Sequence, residues 1–110
     1  MIAHIVLLQP RPDLSEAQRA AALETLARTA ANVPEIRRCR LGRRIKHGLP
    51  GYERLMAQDF EFALIVEVED VEALKRYLTS PPHAALGELF YTATSAALAY
   101  DYILEDAGTG

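Results

Sequence analysis

The stretch FEFALIVEVEDVEALKRYLTSPPH, residues 60–83, decides the fold because it carries a strand, a helix and a helix break in direct succession. Phe60–Val68 is rich in aromatic and β-branched residues, which favour a buried strand. Asp70 is suited to cap the helix that follows, and apolar residues recur at helical spacing over Val71–Leu78. Pro81 and Pro82 end this helix and start another, from Ala84 to about Thr92.

Working outward from this stretch, the same reasoning predicts one more helix and three more strands. The helix is alanine-rich and amphipathic, with Ser15 or Asp13 as its N-cap, and it runs to about Asn32. The predicted strands are residues 2–9, residues 36–45 and residues 97–104. Residues 46–59 show no clean period and contain glycine and proline, so they are predicted to form a long loop.

The order β-α-β-β-α-β predicts a ferredoxin-like α+β fold, in which a four-stranded antiparallel sheet carries its helices on one face. The other face has no cover within the chain, yet the strands are apolar on both sides, with Ile5 and Leu7 opposing Val6 and Leu8. We therefore expect a homodimer in which two sheets pack face to face or share a barrel. The residues expected at this seam are Ile5, Leu7, Ile65, Leu98 and Tyr100.

Composition excludes several classes of protein. A chain of 110 residues with 50% apolar and 25% charged residues suits one folded domain, expected over residues 1–105 and followed by a short flexible tail at 106–110. The sequence shows neither an apolar run of membrane-spanning length nor a secretory leader, so we expect a cytoplasmic protein. The single cysteine, Cys39, allows no internal disulfide, and a net charge of −3 argues against nucleic-acid binding.

The chain resembles the stress-responsive A/B barrel domain (Dabb) family over nearly everything from His4 to Tyr102. The matching segments are His4-Ile5-Val6-Leu7, Pro34-Glu35-Ile36, residues 63–70, Tyr77-Leu78 with Pro82-His83, and Asp101-Tyr102. Their order and spacing together carry the resemblance. It implies a dimeric α+β barrel, to which the last strand contributes, while the general function of the family is poorly defined.

Within this family, His4, Tyr77 and His83 resemble the site of the plant polyketide cyclases typified by olivetolic acid cyclase, which close a linear polyketide by aldol condensation. That resemblance implies a pocket between sheet and helices, lined by Val6, Leu8, Ala22, Leu23, Leu26, Leu64, Leu78, Leu86, Gly87, Ala97 and Ala99. Leu26 replaces a second pocket tyrosine of the cyclases, and Ala22 and Leu23 replace bulky aromatic residues. A pocket of different shape, and so a different ligand, is expected.

The three polar residues also suggest a chemistry of their own. An imidazole can remove a proton next to a carbonyl at neutral pH, and a phenol can hold the resulting oxyanion. His83 is the candidate base, Tyr77 would orient it or bind the enolate, and His4 would position a substrate oxygen. The alternative interpretation makes His4 and Tyr77 core residues and His83 a cap or surface residue. His47, in a Gly/Pro-containing loop, is a poor candidate.

Other patterns are weaker. The histidines lack metal-ligand spacing, so neither a metal nor a cofactor is expected. The basic run at residues 37–44 is typical of a solvated strand balanced by Glu61, Glu67 and Glu69, with binding of an anion as the alternative. Two function classes remain, a small-molecule enzyme or binder, with an apolar or aromatic ligand, and a structural or accessory dimer. A cavity of a few hundred Å³ beside His83 would favour the first.

Overall fold

The computed structural model describes residues 1–108, so the last two residues of the predicted tail at 106–110 lie outside the described residues. Its elements are β1 (Ile2–Pro10), α1 (Glu16–Ala31), β2 (Ile36–Arg43), a 3-10 turn (Glu53–Leu55), β3 (Phe62–Val68), α2 (Val71–Leu78), α3 (Pro81–Ala93) and β4 (Thr94–Ile103). No helix within residues 1–108 has both the length and the apolar character needed to cross a membrane.

The observed order is β-α-β-β-α-α-β, because Pro81 divides the second helical region into α2 and α3. Pro81 starts α3 at a helical position where its missing N–H costs nothing. The predicted strand over residues 36–45 ends earlier, at Arg43, and β4 begins earlier than predicted, at Thr94, directly after α3. The α+β, ferredoxin-like class is confirmed.

Two helix starts follow from local side-chain caps. Ser15 closes a capping box, in which its hydroxyl accepts from the Gln18 N–H at 3.1 Å and the Gln18 side chain accepts from the Ser15 N–H at 2.8 Å. Asp70 accepts from the Ala73 N–H at 2.8 Å at the start of α2. Ser15, rather than Asp13, is therefore the N-cap of α1.

The four strands form one antiparallel sheet in the order β2-β3-β1-β4. Alternate residues of β1 and β3 point toward the helices and are buried, as at Val6, Leu64 and Val66. These side chains pack with Leu26 of α1 and other helix residues to form the core. The core therefore lies entirely between the sheet and one layer of helices.

The opposite side of the sheet, which we call the outer face, is uncovered and is apolar at its centre, with the Arg40–Glu67 ion pair toward β2. Ile5 pairs across the strands with both Ile65 and Tyr100, which places all three side chains together at its centre. Leu98, Tyr100 and Tyr102 remain 42%, 51% and 50% exposed. An antiparallel sheet that meets water on one side normally presents polar residues there, so this face has the character of an interaction surface.

Candidate functional site

The structure brings together the three polar residues selected from the sequence. His4 lies in the middle of β1 on the side that faces the helices, Tyr77 near the end of α2 and His83 in the first turn of α3. Ring centroids are 5.8 Å apart for His4 and Tyr77, 6.0 Å for His4 and His83, and 5.0 Å for Tyr77 and His83, each pair meeting edge to face. The three rings therefore form one cluster.

Ser80 sets the position of His83 relative to Tyr77. Its hydroxyl donates to the Tyr77 carbonyl at 2.6 Å and accepts from the His83 N–H at 3.4 Å, so that it closes α2 and caps α3. The turn between the two helices is thereby held in one geometry. The juxtaposition of the Tyr77 and His83 rings thus follows from the local sequence Ser80-Pro81.

His4 has a carboxylate partner that sequence analysis did not identify as functional. Asp101 of β4 lies directly opposite His4 in the sheet, and its Oδ1 is 2.5 Å from His4 Nδ1. The His4 residue is 5% exposed, whereas the Asp101 side chain is 40% exposed. A carboxylate that accepts from one ring nitrogen fixes the orientation of the imidazole and leaves the other nitrogen, Nε2, for a ligand.

The sequence already indicated that Asp101 faces the pocket. Ala97 and Ala99 were placed on the pocket side of the last strand, and Asp101 lies two residues further along the same side. What the sequence lacked was the register that puts Asp101 opposite His4.

A cleft of about 310 Å³ opens beside the two histidines, between α3 and the edge strand β4. Its walls are His4, Val6, Leu78, His83, Gly87, Phe90, Ala97, Leu98 and Ala99. Apart from the imidazoles, these side chains are apolar, and no charged side chain is among them. At Gly87, apart from the adjacent residues and the backbone of α3 itself, no atom lies within 4 Å of where a Cβ would be, which leaves the α3 wall open. The cleft suits a small, uncharged ligand.

The other residues that the resemblance places in the pocket do not line this cleft. Leu8, Ala22, Leu23 and Leu26 line a separate crevice of about 20 Å³ between β1, α1 and α3. Leu64 and Leu86 are each 1% exposed and belong to the core. The α1 wall does not reach the histidine cleft because α3 packs against α1, with Phe90 bordering both spaces.

The surroundings of the cluster shift the pKa values of His83 and Tyr77 in opposite directions. Burial, and secondly the proximity of His4, lowers the pKa of His83 below its ordinary value of 6.5, partly offset by the Leu78 backbone and by Asp101. Burial raises the pKa of Tyr77 to about 12, with a smaller contribution from Cys39. At neutral pH His83 is therefore an uncharged base and Tyr77 keeps its phenolic proton.

This lowered pKa gives a prediction for stability. Because unfolded His83 binds a proton more readily than folded His83, the free energy of unfolding should fall as pH drops below about 6.5, the ordinary histidine value. We expect His83→Gln to lack this part of the pH dependence. Urea unfolding of both proteins at several pH values between 5 and 8 measures it, and parallel curves would contradict the assignment.

His47 is not part of the cluster. It lies in the loop after β2, where its Nδ1 accepts from the Leu49 N–H at 3.2 Å and its ring meets Tyr52 at 4.7 Å. Among residues 1–108, no three His, Cys, Asp or Glu side chains converge in a way that could hold a metal ion. His47 is therefore a suitable control histidine.

Comparisons with known proteins agree with this architecture. Similar solved structures include a hydroxynitrile lyase from Passiflora edulis, 19% identical over 97% of this chain and 95% of that chain, with a TM-score of 0.83. A Dabb family protein from Mesorhizobium loti is 18% identical over 96% and 97%, with a TM-score of 0.77. A dimeric ferredoxin-like protein of unknown function from Bacteroides fragilis is 21% identical over 94% and 95%, with a TM-score of 0.68.

At these identities the structural likeness shows the fold alone. A search of curated protein sequences found no significant match. The family model of the stress responsive A/B barrel domain, in contrast, matches residues 2–104, nearly the whole chain. The protein belongs to the stress-responsive A/B barrel domain family.

Proposed function

We propose that the protein is a homodimeric enzyme whose subunits each bind a small, uncharged carbonyl compound, such as a polyketide-like ketone, and move a proton next to its carbonyl group. The observation that carries this proposal is the cleft of about 310 Å³ beside His83, whose only polar side chains are two imidazoles. Its volume is in the range of functional ligand pockets, which begin near ~300 Å³. A ligand with a full charge would find no opposite charge on these walls.

In this proposal His83 is the general base. Its lowered pKa keeps the imidazole uncharged at neutral pH, so it can accept a proton from the carbon next to the carbonyl. The electron pair of the broken C–H bond forms the enolate, and negative charge develops on the carbonyl oxygen. An apolar cleft that excludes water strengthens every contact to that oxygen.

His4 is assigned to the substrate oxygen. Because the Asp101 carboxylate holds Nδ1, the Nε2 atom of His4 is left to hydrogen-bond with the substrate oxygen on which the negative charge develops. Asp101 acts through His4 as a positioning residue, because its bond to Nδ1 holds the ring in place. Return of the proton from His83 to a carbon or oxygen of the product completes the cycle.

Tyr77 supports the two histidines from behind. It is 1% exposed and its ring packs against both imidazoles, but it is not among the residues that line the cleft. Of the roles expected for Tyr77, orientation of His83 fits this placement better than contact with an enolate. The aromatic ring, more than the hydroxyl, is therefore assigned the supporting role.

The homodimer is supported by the outer face. Its central side chains, Ile5, Ile65 and Tyr100, would be buried if a second copy of the sheet packed against them. Structural neighbours from Bacteroides fragilis and Thermobifida fusca are described as dimeric. We also place the protein in the cytoplasm, where its single half-buried thiol, Cys39, would stay reduced.

A specific experiment tests the catalytic proposal. Deuterium exchange at the methyl group of small aryl methyl ketones in D₂O, followed by NMR, reports proton removal next to a carbonyl. We expect the protein to accelerate exchange over buffer, and Tyr77→Phe, which keeps the ring contacts, to retain most of this rate. Loss of the rate in Tyr77→Phe would show that the hydroxyl acts directly. Exchange no faster than in buffer, with no binding of these ketones, would count against the enzyme.

One observation favours the alternative of a structural dimer domain, since His4 already has a partner in Asp101 and needs no ligand. If that alternative holds, His4→Ala should lower the free energy of unfolding by about 1–3 kcal/mol, because it leaves a buried site without its hydrogen bond. Ketone binding would then be absent from the wild-type protein as well.

A further inference from the structure

Phe90 of α3 borders two spaces between the helices and the sheet, the histidine cleft of about 310 Å³ and the crevice of about 20 Å³ beside α1. Its side chain is half-buried and packs against the core. The crevice has room for about one water molecule, so it is too small to bind a ligand by itself. It can matter to a ligand only as an extension of the cleft.

The helix that carries Phe90 runs beside β1 in the same direction. At the start of α3, the His83 ring lies 6.0 Å from the His4 ring. At the end of α3, the Ala93 carbonyl accepts from the Arg11 N–H at 2.9 Å, directly after β1. The helix and the strand therefore border one groove, which leads from the two histidines toward the end of β1.

The cleft and the crevice are successive parts of this groove. Val6 lines the cleft and Leu8 lines the crevice. These two residues point to the same side of β1 and are about 7 Å apart along the strand. On α3, Gly87 lines the cleft, Ala93 lines the crevice, and Phe90 lies between them and borders both. The Phe90 ring is therefore the partition between the two parts.

The wall that α3 contributes to the cleft begins at His83 and ends at Phe90. His83, Gly87 and Phe90 lie on one face of the helix, because they are spaced by four and three residues. At a rise of about 1.5 Å per residue, Phe90 lies about 10 Å from His83 along the helix axis. Gly87, between them, has no side chain to fill this distance. A ligand whose carbonyl lies beside His83 can therefore extend along α3 until it meets the Phe90 ring.

We propose that Phe90 closes the end of the histidine cleft and limits the substrate to compact carbonyl compounds, excluding those that carry a long unbranched chain. This inference rests on the proposed function and narrows its substrate class. Methylene groups that fill the cleft gain affinity because they leave water. A chain that reaches Phe90 must displace a packed ring or turn back toward the mouth of the cleft, so further methylene groups gain nothing.

Linear methyl ketones from butanone to nonanone test this limit. Their dissociation constants can be measured by NMR from the imidazole signals of His4 and His83. In the wild type, each added CH₂ should lower the dissociation constant about three- to fourfold until the chain reaches Phe90, after which the constant should stop falling. In Phe90→Ala the decrease should continue, so that nonanone binds about tenfold or more tightly than to the wild type while butanone binds equally well.

Two further variants separate this role from support of the fold. Phe90→Leu keeps an apolar side chain against the core and fills part of the space of the ring, so it should fold and move the length limit by a smaller step. The matched control is Tyr91→Ala, the next residue on α3, whose aromatic side chain is 89% exposed. It should reproduce the wild-type dependence on chain length. Thermal unfolding measures the stability of each variant.

The outcomes separate this inference from the proposed function. If both Phe90 variants bound every ketone more weakly by the same factor, the ring would only support the fold and the length limit would be wrong. An unchanged dependence on chain length, or a wild type whose affinity rises steadily up to nonanone, would also overturn the limit and leave the proposed function standing. A wild type that binds none of these ketones beside His4 and His83 would contradict both.

Discussion

Replacing Ile65 with lysine is expected to convert the protein from a dimer to a monomer and to lower its free energy of unfolding. Ile65 lies at the centre of the outer face, where it pairs with Ile5 and lies opposite Arg40 of β2. A lysine there would be buried in the dimer at a cost of several kcal/mol, beside Arg40, which already pairs with the nearby Glu67 at 3.5 Å. Sedimentation velocity and urea unfolding measure the two effects.

The matched control for this prediction is Val71→Lys. Val71 is also β-branched, but it is 46% exposed at the start of α2, on the helix side of the sheet. We expect this variant to stay dimeric and nearly as stable as the wild type, since surface substitutions usually change stability by less than about 0.5 kcal/mol. If Ile65→Lys dimerised as tightly as Val71→Lys, the outer face would not be the dimer interface.

His83→Ala should have the largest effect on chemistry. General-base catalysis by a positioned side chain typically contributes about 10²–10⁴-fold to a rate. In our proposal His83 is the base that removes the proton next to the substrate carbonyl. We expect ketone exchange to fall by roughly this factor, close to the buffer rate. His83 is only half-buried, and its backbone N–H, which the substitution keeps, makes the bond to Ser80, so the variant should fold.

His47→Ala is the control for this experiment, because His47 is an exposed histidine in the loop after β2. It should exchange ketone protons at the wild-type rate. Equal rates for the two variants would show that His83 is not the base. A loss of binding in His83→Ala, with no exchange by the wild type, would favour a ligand site without acid–base chemistry.

Much of the fold followed from local patterns. The strand over residues 60–68 and the helix from Val71 were predictable because the spacing of apolar residues and helix capping are both local in sequence. Asp70 supplies the helix cap. The placement of His83 beside Tyr77 depends on the short segment Ser80-Pro81, so it too is a local property. The apolar character of both sheet faces was visible in the alternation of β1.

The features that the sequence did not provide depend on pairing between distant parts of the chain. Asp101 meets His4 across 97 residues, and only the β1–β4 register creates that pair. The separation of the α1 crevice from the histidine cleft depends on how α3 packs against α1, which periodicity does not determine. A cavity of about 460 Å³ under the loop of residues 44–61 needs the loop's own path over the sheet.

The proposal that a small neutral ligand binds beside His4 and His83 is tested most directly by locating the binding site. The imidazole resonances of the three histidines can be assigned by single substitution and followed by NMR while neutral aryl ketones and phenols are added. We expect the signals of His4 and His83 to shift together with a common dissociation constant and the signal of His47 to stay in place. Shifts of His47 alone, or no shift of His4 and His83 with any of these compounds, would contradict the account.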